Sequence, residues 1–381
     1  MLKWPTSSSR RVVIAGGGVA AVETLLALRA LPRGATFDVT VIAPGDELVY
    51  KPLAVTEPFG HAHERRYRLD AICHDLDATL VRGWLRGVDG RRRVAQTSDG
   101  RALPYDALVV ATGASSHEAL PGAVTFFGGG ESDDFSWIVR ELETGITRSI
   151  AFVVPTGGCW PLPLYELALM TAERAAEVAA VDLSLTLVTP EEEPLAAFHG
   201  AGSAAVGQLL AAARVAFAGA TRAHDYDGRT LALSSLETED DRRIAIDRVV
   251  ALPALRGPAI EGLPLDRSGF VRVDNHCAVR GLDDVYAIGD ATTFPLKQGG
   301  VATQQADAVA AAIGGRSAEL RPHLRAMLLT GGEPLYLSAT VVGGVGVSSS
   351  VSHSCPWWPP HKIAARHLAP YLADRQAAAV A

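Results

Sequence analysis

Two glycine-bearing strand-to-turn signatures, one near each end of the chain, restrict its fold more than any other feature. The first, Arg11-Val12-Val13-Ile14-Ala15-Gly16-Gly17-Gly18-Val19-Ala20-Ala21-Val22-Glu23, runs from a short apolar strand through a glycine turn into an apolar helix. Gly16 allows the tight turn, Gly18 lets a pyrophosphate approach the backbone, and Ala21 is small enough for helix and strand to pack closely. The helix start at Val19 and Ala20 would turn free N–H groups toward the phosphates. The second signature, Asp284-Val285-Tyr286-Ala287-Ile288-Gly289-Asp290-Ala291, is a strand that ends in Gly-Asp. Between them lies Tyr105-Asp106-Ala107-Leu108-Val109-Val110-Ala111-Thr112-Gly113-Ala114. One glycine fingerprint is a weak signal. Three segments in this order point to a single dinucleotide cofactor held by distant parts of the chain.

Composition narrows the classes. A net charge of −7 and a pI near 5.9 argue against a nucleic-acid partner, which needs a concentrated basic surface. The basic runs Arg65-Arg66 and Arg91-Arg92-Arg93 read as solvated faces. Met1 to Arg11 is polar and proline-broken, so no signal peptide is expected. No uninterrupted apolar run reaches the roughly 18 residues a membrane span requires. The four cysteines are widely spaced and form neither a disulfide framework nor a metal site. The expected location is cytoplasmic, with peripheral contact at the inner face of a membrane.

The pattern along the chain predicts two βαβ units, one inserted in the other. Strands at Val12–Ala15 and Val39–Ala43 flank a helix at Ala20–Ala30, and hairpins follow near 89–101, with Arg92–Thr97 as one strand. The inserted pattern comprises strands Ile150–Val154, Leu183–Val188 and Val249–Ala251, with helices Leu162–Ala176 and Ala204–Ala213. The chain then returns through strands Gly269–Asp274 and Val285–Asp290 to a helix at Ala302–Ile313, a strand at Tyr336–Val342, and a last helix at His361–Tyr371, interrupted at Pro370.

With these motifs the chain resembles the flavoproteins built from two dinucleotide-binding domains, the pyridine nucleotide-disulfide oxidoreductase superfamily. Four local matches narrow the likeness to sulfide:quinone oxidoreductases and type II NADH dehydrogenases. They are Leu48-Val49-Tyr50-Lys51-Pro52-Leu53, Lys297-Gln298-Gly299-Gly300-Val301-Ala302 with Gln304-Gln305, Gly158-Cys159-Trp160-Pro161-Leu162-Pro163-Leu164-Tyr165-Glu166, and Trp357-Trp358-Pro359-Pro360-His361-Lys362-Ile363. The resemblance implies an α/β fold of two Rossmann-like domains. An FAD domain (residues 1–120 and 256–320) would be split by an NAD(P)-like domain (121–255) and followed by a C-terminal cap (321–381). It implies noncovalent FAD at Gly16, Gly18, Val19, Ala20, Lys51, Pro52, Ala111, Thr112, Gly113, Gly289, Asp290, Gly300 and Val301. In relatives the Gly-Asp carboxylate bonds the ribitol chain.

Three departures bear on function. The second strand ends Val41-Ile42-Ala43-Pro44, so contact with the adenosine ribose falls to Asp46, Glu47 or backbone. The inserted unit has lost its glycine fingerprint, because Trp160 and Pro161 stand where a pyrophosphate needs small residues and free N–H groups. No cysteine occupies the regions where some relatives tether flavin: Tyr50-Lys51 and Ser115-Ser116-His117 stand there.

The resemblance further implies a redox pair, Cys159 and Cys355, through which a sulfide or thiol donor passes two electrons to the flavin. Cys159 precedes a helix opened by prolines, whose positive end would favour thiolate. The alternative is that both are small packing residues. Glu166 stands as a proton carrier. Lys51 and Lys297 stand as positive charge near the flavin, or as surface lysines without a role. Glu23 is either buried near the pyrophosphate loop or a solvated helix residue. Trp357 and Trp358 are read as a wall for a quinone ring or as pins for the tail. Ile363, Leu368 and Leu372, flanked by Lys362 and Arg366, suit a loose membrane contact through which a quinone enters. The expected function is electron transfer from a small donor through FAD to a quinone-like acceptor. The rivals are an NADH-dependent quinone or ferredoxin reductase and a flavin-binding subunit without turnover.

Overall fold

The computed structural model describes residues 9–32, 36–61, 65–128, 133–180, 182–238, 240–316 and 319–380. Five parallel strands form the first sheet, in the order Val285–Ala287, Ala107–Val110, Arg10–Ala15, Phe37–Ala43, Ala78–Arg82. Its central strands are buried on both faces, as continuous apolar runs in a parallel sheet must be. On one face Val12 and Ile14 meet the helices Val19–Arg29 and Gly299–Ile313; on the other Val13 and Ala15 meet an antiparallel layer that includes Val88 and Ala95. The expected hairpin is present as Leu85–Asp89, Val94–Thr97 and Ala102–Pro104. Gly16 shows why the first turn needs glycine: φ is +134°, and a Cβ there would lie 2.1 Å from the Ala111 carbonyl oxygen.

A second parallel sheet has the order Val124–Thr125, Arg248–Ala251, Ser149–Val153, Ser184–Val188, Val215–Ala218. It carries the helices Leu162–Glu177 and His199–Ala212, the latter kinked at Gly200. The sequence pattern missed the helix Asp133–Glu143 and the antiparallel sheet Thr221–Tyr226, Thr230–Ser235, Asp241–Ala245. A third antiparallel sheet, His323–Leu328, Leu335–Val342 and Val345–Ser352, puts Leu324, Leu328 and Leu337 into the same core as Phe152, Leu164 and Phe198 of this second unit.

Three expectations change. Gly269–Asp274 makes only isolated bridges, among them Leu265 with Val271 and Val273 with Val279, and is not a strand of the parallel sheet. The last helix spans Leu368–Val380, with Pro370 in its first turn, where a missing N–H breaks no helical bond. The apolar side of that segment is no membrane contact. Ile363, Leu368 and Leu372 are buried against Val22, Leu26, Leu48, Leu69 and Ile72 of the first unit. No helix among the described residues is long and apolar enough to cross a membrane.

Candidate functional site

A cavity of about 470 Å³ opens at the carboxyl ends of the first sheet's strands, where parallel α/β sheets bind ligands. Three strand ends supply its floor: Gly17–Ala20 after Arg10–Ala15, Ala111–Gly113 after Ala107–Val110, and Ile288–Asp290 after Val285–Ala287. Gly299 and Ala302, from the helix that follows, close one side. Lys51, Pro52 and Val55 of the short helix Lys51–Phe59 form another. The second unit contributes Cys159, Trp160, Pro163, Leu252 and Leu255, and the C-terminal strap contributes Lys362 and Ile363.

The site has the features a dinucleotide needs. The helix Val19–Arg29 has no side-chain cap, so its first-turn amides are left for a ligand, and a Cβ on Gly18 would meet nothing within 4 Å. Thr112 Oγ1 is buried without a hydrogen-bond partner, an expensive state unless a ligand satisfies it. Asp290 is held in place because its turn is pinned: Gly289 N–H donates to Gln305 Oε1 at 2.6 Å. Burial raises the Asp290 carboxyl above its ordinary range, opposed by the nearby Lys297 charge. Hydroxyl donors on a ligand would relieve that desolvation. Gln298 caps the helix Gly299–Ile313, accepting from Val301 N–H at 2.8 Å, while its Nε2 donates to Arg325 O.

Of the residues expected at the cofactor, Gly18, Val19, Ala20, Lys51, Pro52, Ala111, Thr112, Gly113, Gly289 and Asp290 all line the cavity. Gly16 does not line it but sits in the tight turn before Gly17, and Gly300 and Val301 are buried and do not line it, whereas Gly299 and Ala302 do. Asp46 and Glu47 are paired with Arg82 and Arg66.

The four expected catalytic residues divide. Cys159 lines the cavity, but it is no thiolate: burial, helped by Glu191, pushes its thiol up to about 12. Desolvation dominates, and no cation among the described residues is among the causes that act on the sulfur. Cys355 does not line the cavity. Its Sγ donates to Trp357 O at 3.2 Å within the strap, and both cysteines are free. Lys297 also turns away. Its ammonium donates to the carbonyls of Asp290 and Thr292 and sits 4.0 Å from the Phe270 ring centroid, and burial lowers it to about 8. Lys297 therefore braces the Gly-Asp turn from behind. Glu166 is wholly buried and serves as a tie: its Oε1 accepts from Leu329 N–H at 2.9 Å, and Oε2 pairs with Lys362 Nζ at 2.6 Å.

That ion pair joins the second unit to the strap and puts Lys362 on the cavity wall. Lys362→Met would leave the Glu166 carboxylate buried beside one N–H donor, and is expected to destabilise the fold by about 3–5 kcal/mol. Glu166→Gln combined with it should recover most of the loss. Chemical denaturation of the parent and the two variants checks this, and a single variant as stable as the parent would show the pair to be dispensable.

Trp160 packs on Phe198, with ring centroids 6.1 Å apart. Glu191, the first carboxylate after the second strand, is turned inward. It accepts from Tyr165 Oη at 2.8 Å, Thr189 Oγ1 at 3.1 Å and Ala196 N–H at 2.9 Å. Its oxygens are thereby occupied, and burial raises its carboxyl. No group of histidine, cysteine and acidic side chains among the described residues is arranged to hold a metal. Sequence reasoning had no signal for the aromatic wall of Phe126 and Phe127. It did single out Lys362 and Ile363, but as an outer edge.

Comparison with known proteins agrees with this geometry. The family model described as pyridine nucleotide-disulphide oxidoreductase matches residues 10–312. The ferredoxin reductase component of chlorobenzene dioxygenase from Cupriavidus sp. (strain PS12) is 30% identical over 328 residues, covering 80% of this chain and 74% of that protein. The ferredoxin–NAD(+) reductase subunit of a benzene 1,2-dioxygenase system from Pseudomonas putida is 26% identical over 331 residues, covering 81% of this chain and 75% of that protein. Among solved structures, the sulfide:quinone oxidoreductase of Aquifex aeolicus matches with a TM-score of 0.80 at 18% identity, covering 90% of this chain and 87% of that one.

Proposed function

Since the chain belongs to the pyridine nucleotide-disulphide oxidoreductase family, and is an FAD-dependent oxidoreductase of it, we propose that it moves electrons from a small sulfide or thiol donor to a quinone-like acceptor without a nicotinamide. The observation that carries this reading is the filled cradle of the second unit, where Trp160, Phe198 and the inward-turned Glu191 stand in place of a dinucleotide site. FAD, when bound, supplies the two-electron carrier. The residues that would hold it are Gly18 to Ala20 at the phosphates, Thr112, and Asp290 at the hydroxyls. The protein's own contribution is orientation and exclusion of water. Phe126, Phe127, Trp160, Leu252 and Ile363 make the remaining wall apolar, which suits a flat, uncharged ring.

Cys159 faces the cavity as a protonated thiol, and Cys355 is engaged in the strap, so we place donor entry directly at the flavin. A relay through both sulfurs requires the strap to carry Cys355 to the cavity. Direct entry leads us to expect that Cys159→Ser and Cys355→Ser each keep sulfide-driven bleaching of the flavin band within about tenfold of the parent, a change of about 1.4 kcal/mol in barrier. Loss of bleaching in both variants, with flavin retained, would restore the dithiol relay.

A second reading is favoured by the two curated relatives, which are ferredoxin reductase components. In it NADH reduces the flavin and a ferredoxin takes the electrons singly. The burial of the apolar side of the last helix against the protein body favours a soluble acceptor. Anaerobic mixing with sulfide and with NADH separates the two readings: the proposal expects bleaching by sulfide, the alternative by NADH.

A further inference from the structure

One wall of the cavity is built differently from the rest. The floor and the sides formed by the helices Gly299–Ile313 and Leu162–Glu177 belong to elements with their own backbone ladders. The strap that carries Lys362 and Ile363 joins the strand Val345–Ser352 to the helix Leu368–Val380, and residues 353–367 form neither helix nor strand. Pro356, Pro359 and Pro360 lack the N–H a ladder needs. The strap's internal bonds are short-range: His361 N–H donates to Pro359 O at 2.8 Å, Ala365 N–H to Ile363 O at 2.9 Å, and Trp357 Nε1 to His361 O at 2.9 Å. A segment without a ladder opens at lower free energy than the sheets around it.

Side chains fasten it instead, and three of them stand on segments that line the cavity. Tyr50 directly precedes Lys51 and Pro52 of the wall, and its Oη accepts from Ile363 N–H at 3.0 Å. Glu23 lies one turn beyond Val19 on the helix Val19–Arg29. It is wholly buried, and its two oxygens accept from His367 N–H at 2.9 Å and Leu368 N–H at 2.6 Å, which caps the last helix. Glu166, one turn into its helix after Cys159 and Trp160, holds Lys362 Nζ at 2.6 Å. Apolar packing completes the seat. Ile363 is buried with Val22, Tyr50 and Leu69, and a Cβ on Gly299 would lie 2.8 Å from its Cδ1, so glycine leaves it room.

We propose that the strap is the lock of the flavin cavity, and that Glu23 and Tyr50 are positioning residues that keep it shut. While they hold, Lys362 and Ile363 stay on the wall. When the strap lifts, that wall is gone and the flavin is released through the gap. Release from an open state scales with the fraction of molecules that are open. The lock rests on flavin occupying this cavity, which Asp290→Ala tests separately, and not on the electron donor or acceptor.

Two measurements on the FAD-loaded protein test it without turnover: amide hydrogen exchange of residues 363–372, and the growth of free-flavin fluorescence after dilution. Tyr50→Phe removes the hydroxyl and leaves the ring in the core; Glu23→Gln keeps one acceptor oxygen. Each is expected to raise strap opening and flavin release about tenfold, the two rising together within about threefold. Amides of Val12–Ala15 in the first sheet should keep the parent's protection. Wider opening without faster release would show that the flavin leaves by another side, and overturns the lock. Faster release without opening would show a direct effect on the cofactor, and overturns it equally. Protection lost to the same extent in Val12–Ala15 is global loosening and removes the positioning role, as does a pair of variants that behave as the parent. If Glu23→Gln does not fold, Tyr50→Phe decides.

Discussion

Asp290→Ala is expected to emerge from purification largely colourless. The Asp290 carboxylate sits at the cavity end of a turn pinned by Gln305, and the protein supplies it no hydrogen-bond donor among the described residues. Its partners are therefore to come from the cofactor. Losing a charge-assisted acceptor costs on the order of 2–3 kcal/mol, or roughly 30- to 150-fold in affinity. Dialysis at micromolar protein followed by absorbance at the flavin band measures it. The Asp290→Asn variant, which keeps an acceptor oxygen, should hold flavin more firmly than the alanine variant. If Asp290→Ala retains stoichiometric flavin, the cofactor lies elsewhere. Acid precipitation of the parent checks the noncovalent attachment: flavin that stays with the chain would contradict it.

NADH is expected to reduce the flavin poorly even at millimolar excess. A dinucleotide in the second unit would have to displace Trp160 from Phe198 and find backbone donors where Pro161 has none. It would also have to draw Glu191 out of its bonds with Tyr165, Thr189 and Ala196. Each loss is of the order of 1–3 kcal/mol, so a total near 3 kcal/mol slows reduction by roughly a hundredfold or more. Stopped-flow mixing reads this directly. Millisecond reduction at micromolar NADH would promote the ferredoxin reductase reading.

The cavity at the strand ends was legible in the sequence because its requirements are local. A positive-φ turn at Gly16, an open Gly18 and a Gly-Asp strand end are demanded by backbone geometry within a few residues, so the amino acids show them. The erosion of the second fingerprint was legible for the same reason. The catalytic assignments fared differently. Cys159 was read from its place before a helix, yet its protonation is decided by burial and by Glu191, far off in sequence. Lys297 sits within the helix-entry motif, but the Phe270 ring and the Thr292 carbonyl hold its ammonium behind the turn. Glu166 was read as a proton carrier, and is a tie because Lys362 comes back to meet it.

Sequence alone determined the cofactor class, the two interleaved parallel sheets and the loss of the second glycine loop, since each follows from strand patterning and from which residues a tight turn admits. Tertiary structure decided everything that depends on the C-terminal strap. It turned the apolar side chains of Ile363, Leu368 and Leu372 inward and set the Glu23 carboxyl against the first turn of the last helix. The physical reason is that apolar burial is non-directional. An amphipathic segment shows that one face will be covered but not by what, and the charge state of a buried carboxyl is set by neighbours that only the folded chain assembles.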